Sequence, residues 1–355
     1  MFDFLDIEVY KIINILGLII GISFGAIAQK NQFCFSGSIK DYFLTGSTKR
    51  GASVIMAMIS SIVFTQIFAH YGDFDLVYSR YFAENINYFS IVFGGMLFGI
   101  GMMIADGCSS RSLVKFAQGD LKTLVTLLFI AIFALSSTKG FLSEVINEFI
   151  HNETLIQVSS FVENLVLNVY VVLIILIFIL FKMIKKTSRI FALYDGFLIG
   201  LLVAVSWYVT SIGMSESIEK VIGLASLSFV YPSAQTLELF TYYERYEFSF
   251  VISVFLGVLL GAFSMSRINR RYSFGCISHV KEHSIKNNMI GGALMGVGGV
   301  LTIGCTVGQG LSGLSTLAFA SVLSISSIMI SGFFTAKYLH SKDLLPSCFI
   351  FEWKE

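Results

Sequence analysis

Hydrophobic residues gather along the chain into nine runs of roughly 16 to 22, each bounded by charged, glycine-containing or turn-forming stretches. They centre on residues 12–28, 51–70, 88–106, 121–138, 165–181, 190–209, 248–266, 289–304 and 314–336. Runs of that length suit helices crossing the hydrocarbon of a bilayer, where a helix satisfies every backbone polar group within its own segment. The pattern predicts an all-α polytopic membrane protein of about nine transmembrane helices. Four stretches beside these runs, 33–41, 106–119, 227–235 and 304–313, are instead small, polar and glycine-rich. Such backbone is tolerated at membrane depth only where protein buries it or it lines a cavity, so these four are predicted to be re-entrant and to meet centrally.

The third and eighth runs end alike. GGMLFGIGMMIADGC (94–108) and GGALMGVGGVLTIGC (291–305) align without a gap, sharing Gly94/Gly291, Gly95/Gly292, Leu97/Leu294, Gly99/Gly296, Gly101/Gly298, Gly107/Gly304 and Cys108/Cys305. This is the mark of a duplication in which each half delivers one cysteine. Weaker correspondences extend it: Gly17, Gly21 and Gly25 in the first run answer Gly196 and Gly200 in the sixth, and QFCFSGSIKD (32–41) occupies the place of LSFVYPSAQT (227–236). Glycines four apart, such as Gly95 and Gly99, Gly292 and Gly296, or Gly257 and Gly261, are read as helix-packing contacts.

Charge gives these runs a direction. Of 24 lysines and arginines, 19 follow the odd-numbered runs, whereas Asp73, Asp75, Glu84, Glu144, Glu148, Glu216 and Glu219 are among the acids that populate the opposite loops. The positive-inside rule then puts the N-terminus outside and the C-terminus inside. Runs one to four and six to nine become inverted copies, and the fifth becomes the linker that inverts the second. The expected organisation is a single membrane domain over 1–355, with repeat 1 at 9–139, a linker helix at 165–182, repeat 2 at 190–338 and a cytoplasmic tail at 339–355.

Composition agrees and excludes alternatives. With 55% hydrophobic residues, 13% charged residues and a mean hydropathy of +0.79, the chain carries more apolar surface than a water-soluble globule could bury. A net charge of +1 without a basic tail gives no attraction for nucleic acid. The acidic opening MFDFLDIEVYK does not predict a cleaved signal peptide. No Walker loop, nucleophile elbow or kinase motif is present, so no ATP-driven step and no cofactor is expected, nor any catalytic residue.

The candidate chemistry lies in the thiols. Five cysteines, Cys34, Cys108, Cys276, Cys305 and Cys348, are far apart and form no CxxC pair. A single free cysteine in a membrane protein is most often a small buried hydrophobe. Recurrence sets Cys108 and Cys305 apart, because each follows a glycine and precedes a hydroxyl residue at equivalent places in two copies; Cys34 shares their kind of loop. Thiols, the hydroxyls of Ser109 and Thr306, the Gln309 amide and the backbone N–H groups near Gly107 and Gly304 can accompany an anion without the trapping effect of a fixed positive charge. Arg111 either draws anions or is an ordinary inner-side arginine. Asp106 and Asp195 are read as hydrogen-bonding within loops rather than as proton carriers. Cys276, His279 and His283 form C-x2-H-x3-H on a basic loop, but a fourth ligand is missing and no metal site is assigned. On these residues a transporter is favoured over a membrane thiol relay handling persulfide sulfur, which needs reactive thiolates, and over a channel for non-sulfur anions, which leaves the recurrent cysteines unexplained.

FGAIAQKNQFCFSGSIKD (24–41), LFGIGMMIADGCSSRSLVKFAQG (97–119) and LMGVGGVLTIGCTVGQGLSGLSTL (294–317), in that order, resemble the motifs of the YeeE/YedE sulfur transport family over nearly the whole chain. The resemblance implies nine membrane helices in an hourglass arrangement and uptake of thiosulfate across the bacterial inner membrane into the cytoplasm. It also implies passage of the ion along Cys34, Cys108 and Cys305 by S–H to sulfur hydrogen bonds. Cys276 and Cys348 match no motif. A separate TusA-like sulfurtransferase is the partner that the resemblance suggests, and selenium compounds are the alternative cargo.

Overall fold

The computed structural model describes residues 9–82, 86–151, 168–186, 193–217, 222–241, 248–274 and 284–346. It is all-helical, with no strand among the described residues. The long helices are α1 (Val9–Asn31), α3 (Lys49–Gly72), α4 (Tyr88–Ile104), α6 (Leu121–Thr138), α8 (Val169–Lys186), α9 (Tyr194–Glu216), α11 (Phe250–Ile268), α12 (Ile285–Leu301) and α13 (Phe319–Ser341). Seven helical stretches, containing all of these but α8 and α12, are long and apolar enough to cross a membrane. The other two coincide with the remaining apolar runs. Helix α8 ends in Lys182, Lys185 and Lys186, and α12 is 17 residues long.

The stretches expected to be re-entrant loops are mostly helical. Three short helices, α2 (Phe35–Leu44), α5 (Ser109–Ala117) and α10 (Val230–Thr241), occupy three of them, and a π-helical turn at Gly308–Gly313 occupies the fourth. Their sequences are short and polar enough to read as loops. Much of each is buried in the protein interior, and Cys34 caps α2 through the Gly37 N–H. A helix α7 (Ser143–Ile150) follows α6.

The long helices pair in a regular way. α1 packs chiefly on α11 and α3 on α9; α4 packs on α13 and α6 on α12; α4 and α12 also cross each other. Exchanging the halves, α1 for α9, α3 for α11, α4 for α12 and α6 for α13, leaves this set of pairs unchanged. The α4–α12 crossing repeats the exchange at atomic scale. A β-carbon on Gly298 would stand 2.6 Å from the Gly94 carbonyl oxygen, and one on Gly101 would stand 2.7 Å from that of Gly291. The aligned glycines are therefore contact points where backbone meets backbone, as the four-residue spacing predicts. The same holds at Gly292 and Gly296, whose β-carbons would lie 2.7 Å from Thr126 O and 2.8 Å from Ile130 O of α6.

Outside these seams the surface is apolar. Ile174, Ile177, Phe178 and Phe181 of α8 are all more than half exposed, which suits a lipid-facing helix whose main packing among the described residues is on α3. The chain is a multi-pass membrane protein.

Candidate functional site

Each of the three motif cysteines stands at the entrance of a short central segment. Cys34 is the N-cap of α2 and Cys108 that of α5, and Cys305 directly precedes the helical segment 306–315. All three are buried free thiols. An N-cap side chain faces the unsatisfied N–H groups of the first helical turn, and two of the sulfurs use them: Cys34 Sγ accepts from Gly37 N at 3.2 Å and Cys305 Sγ from Gly308 N at 3.3 Å. Hydroxyls lie alongside, Ser36 Oγ at 3.1 Å from Cys34 Sγ and Ser110 Oγ at 3.3 Å from Cys108 Sγ.

The entrances of the Cys108 and Cys305 segments have one backbone design. Asp106 and Ile303, two residues before each cysteine, both adopt left-handed backbone, φ +62° and +58°. Gly107 N donates to Met102 O at 3.0 Å and Gly304 N to Gly299 O at 2.9 Å; Ser112 N donates to Cys108 O at 2.8 Å and Gln309 N to Cys305 O at 2.7 Å. Gln32, two residues before Cys34, shares the turn at φ +58°. Left-handed backbone is strained for a β-branched residue such as Ile303 and persists only where the surroundings impose it, typically at functional sites. In the fourth segment the position answering Cys34 is Phe229, fully buried, with its ring 5.3 Å from that of Phe24.

The cysteines are brought together unevenly. The Cys34 and Cys108 thiols are neighbours, and Thr306 of the other half lies near Cys108. Cys305 faces a different group. Tyr81, buried on a 3-10 turn between α3 and α4, donates its hydroxyl to Gly308 O at 2.8 Å and lies near Cys305. Burial pushes the Tyr81 phenol up, so it stays a neutral donor. Beside it, at the end of the bundle where α1 begins, opens a cavity of about 280 Å³. Its lining includes Arg80, Tyr81, Trp207, Ser228, Tyr231 and Ile303. The Arg80 guanidinium sits 4.5 Å over the Tyr231 ring.

The supporting residues divide. Ser109 and Thr306 are fully buried at the thiols. Gln309 is a loop staple, its Nε2 donating to the Thr302 carbonyl, and Gly107 and Gly304 leave room for the side chains of Arg111 and Gln309, each 3.3 Å from where a β-carbon would be. Arg111 is buried and donates to Gln32 Oε1. It is thus a buried arginine tied to the turn before Cys34, and not a surface arginine.

The sequence reading missed a buried ionic group. Lys40, Arg50 and Lys115, counted there among the charges of exposed inner loops, are 6%, 7% and 2% exposed. Lys40 Nζ bonds Asp106 Oδ1, Lys115 Nζ bonds Asp106 Oδ2 at 2.6 Å, and Arg50 Nε lies 3.1 Å from Asp41 Oδ2. The available signal was Asp106, since an acid ending an apolar span has to find a cation. Asp195 is buried at the start of α9, close to Ser53, within its own packing seam. Cys276, His279, His283 and Cys348 lie outside the described residues. Among the described residues no cluster of three or more metal-ligating side chains occurs.

A helical membrane domain with paired halves and buried central segments matches the repeat architecture common among small-solute transport proteins. The sulphur transport family model matches residues 30–335, and the chain belongs to that family. It is similar to the thiosulfate transporter TsuA of Escherichia coli, 22% identical over 350 residues covering 91% of this chain and 93% of that protein. A similar relationship holds to the thiosulfate transporter TsuA of Spirochaeta thermophila, 22% identical over 341 residues, 91% and 98% of the two chains. The probable transporter YedE of Escherichia coli is 26% identical over 106 residues, 30% of this chain and 25% of that one.

Proposed function

We propose that this protein carries thiosulfate, or a closely related small sulfur anion, inward across the bacterial inner membrane along Cys34, Cys108 and Cys305. The observation that carries the reading is the setting of those thiols: each is buried at the entrance of a central segment, and each is flanked by hydroxyls or backbone N–H groups. A thiol donates weakly to an anionic sulfur or oxygen and accepts weakly in return, so the cargo is passed on without being held. The anion enters through the cavity beside Arg80 and Tyr81, meets Cys305, and reaches the Cys108–Cys34 pair by way of Thr306. Family membership and the TsuA relatives support thiosulfate as cargo. The pairing of helices supports two inverted repeats, 9–139 and 190–338, joined by α8. The distribution of basic residues supports a C-terminus in the cytoplasm, where a TusA-like sulfurtransferase is the partner we expect to receive the ion.

The test is uptake of labelled thiosulfate by cells lacking their own uptake systems, comparing the unaltered chain with Cys108→Ala and Cys305→Ala, with sulfate and selenite as competitors. Loss of one weak thiol contact of about 1 kcal/mol would slow passage several-fold, and loss of an unavoidable relay point roughly tenfold or more. Equal uptake by all three would remove the thiols from the mechanism. Stronger competition by selenite than by sulfate would move the cargo toward selenium compounds.

A further inference from the structure

The Cys34 and Cys108 thiols belong to different helices, α2 and α5, whose sequences lie more than sixty residues apart. Their neighbourhood has to be set by something that joins the two helices. Main-chain bonding does not do so: the backbone hydrogen bonds at both caps run within each segment. Asp106 does. It lies two residues before Cys108, held in left-handed backbone. One carboxylate oxygen takes Lys40, six residues after Cys34 on α2, and the other takes Lys115 of α5 at 2.6 Å. Lys115 also donates to the Asp106 carbonyl at 2.7 Å, fixing the turn itself. All three side chains are buried.

We propose that Asp106 is a positioning residue of the thiol path, a buried ionic bridge to Lys40 and Lys115 that sets the separation of the Cys34 and Cys108 sulfurs. Buried ion bridges add little stability over apolar side chains of the same volume, and their attested value is in fixing register. That fits a place where two short helices pack chiefly on other elements and little on each other. The repeat sharpens the point. By the same alignment Asp106 answers Ile303, Lys115 answers Ser312 and Lys40 answers Gln235. The bridge is thus confined to the half in which two thiols must meet.

This inference rests on the proposed thiol path for its purpose, but not for its test. In purified full-length chain carrying Cys276→Ser, Cys305→Ser and Cys348→Ser, the rate of Cys34–Cys108 disulfide formation under copper–phenanthroline is followed by mass spectrometry. It is compared with the same chain bearing Lys40→Met, which leaves Asp106 and Lys115 as a balanced pair, and with Lys40→Arg, which restores the cation. We expect Lys40→Met to slow the reaction roughly tenfold, because coupling of the second thiolate to the sulfur that copper–phenanthroline has oxidised depends steeply on alignment, and Lys40→Arg to recover most of the rate. Equal rates in all three overturn the proposal. Should Lys40→Met fail to accumulate as a monodisperse protein, Lys40→Gln is judged by the same two outcomes. Uptake measured in parallel separates the two ideas: without thiosulfate uptake by the unaltered chain the transport reading fails, while the disulfide rates still decide the bridge.

Discussion

The two halves of the molecule share one backbone plan and fill it with opposite chemistry. Around Cys34 and Cys108 the first half buries Lys40, Arg50, Asp106, Arg111 and Lys115. Around Cys305 the second half places Ser228, Thr302, Thr306, Gln309 and Ser312, all neutral, and closes its fourth segment with Phe229. Even the staple across the turn differs: a lysine ties Asp106 to α5, whereas the Gln309 amide ties Thr302 to its own segment. The glycine seams and the turns before Cys108 and Cys305 are alike, while the side chains around them are ionic on one side of the centre and hydroxylic on the other. For an anion the neutral half is a place of weak contacts, while the ionic half offers a field in which basic groups outnumber acidic ones. On the path proposed above, an anion passing from the neutral half to the ionic half would move electrostatically downhill.

The comparison breaks most forcefully at Asp106. Asp106→Ala leaves Lys40 and Lys115 buried without their shared carboxylate, a change that typically costs about 3–5 kcal/mol. We expect it to lower the unfolding midpoint in detergent by far more than any neutral substitution at Ile303. The triple variant Asp106→Leu, Lys40→Met, Lys115→Met, which gives the first half the neutrality of the second, should recover most of that stability. If the triple variant is as unstable as the single, the cost lies in lost packing rather than in uncompensated charge, and the contrast drawn between the halves is wrong in its physics.

How much of this was legible beforehand follows the same division. The features carried by period and composition were readable: the apolar runs, the glycine seams, and the equivalence of Cys108 with Cys305. Glycine is legible because only its missing side chain permits a contact such as Gly298 on the Gly94 carbonyl. The short central helices were not readable as helices. Segments of nine to twelve residues such as Ser109–Ala117 and Val230–Thr241 are too short to be stable alone and owe their form to burial. Nor was the ionic bridge readable, because the positive-inside rule counts Lys40 and Lys115 in the same way whether they face water or a buried aspartate, 66 residues away for Lys40 and 9 for Lys115. The site was thus half visible: its thiols by repetition, its supporting charges only through the tertiary meeting of α2 with α5.

The crossing of α4 and α12 offers a gentler test. Because Gly94 faces Gly298 as Gly101 faces Gly291, Gly101→Val and Gly298→Val should destabilise to a similar degree, each by about 1–3 kcal/mol of overpacking. Similar losses of thermal midpoint in the two variants would mean that the seam is shared evenly by the halves and that their divergence is limited to the thiol centre. A large inequality would place the asymmetry in the scaffold as well.

The smallest expected effect concerns how each half seats its partner's short helix. Helix α2 leans on α13 through aromatic contact, Phe43 lying 4.9 Å from the Phe333 ring and 5.9 Å from His340. Helix α10 leans on α6 through an ion pair, Glu238 to Lys139 at 2.9 Å. Glu238 is buried but Lys139 is 54% exposed, so water and salt screen the pair and its contribution falls within about 0–1 kcal/mol. Lys139→Ala should therefore shift the midpoint slightly, and the shift should shrink further as ionic strength rises from about 0.05 to 0.5 M. Phe43→Ala should cost more and show no salt dependence, because what it loses is buried area and ring contact. A salt-independent loss in Lys139→Ala would mean that the lysine stem, and not its charge, holds α10 in place, and the two halves would then seat their short helices by the same apolar means.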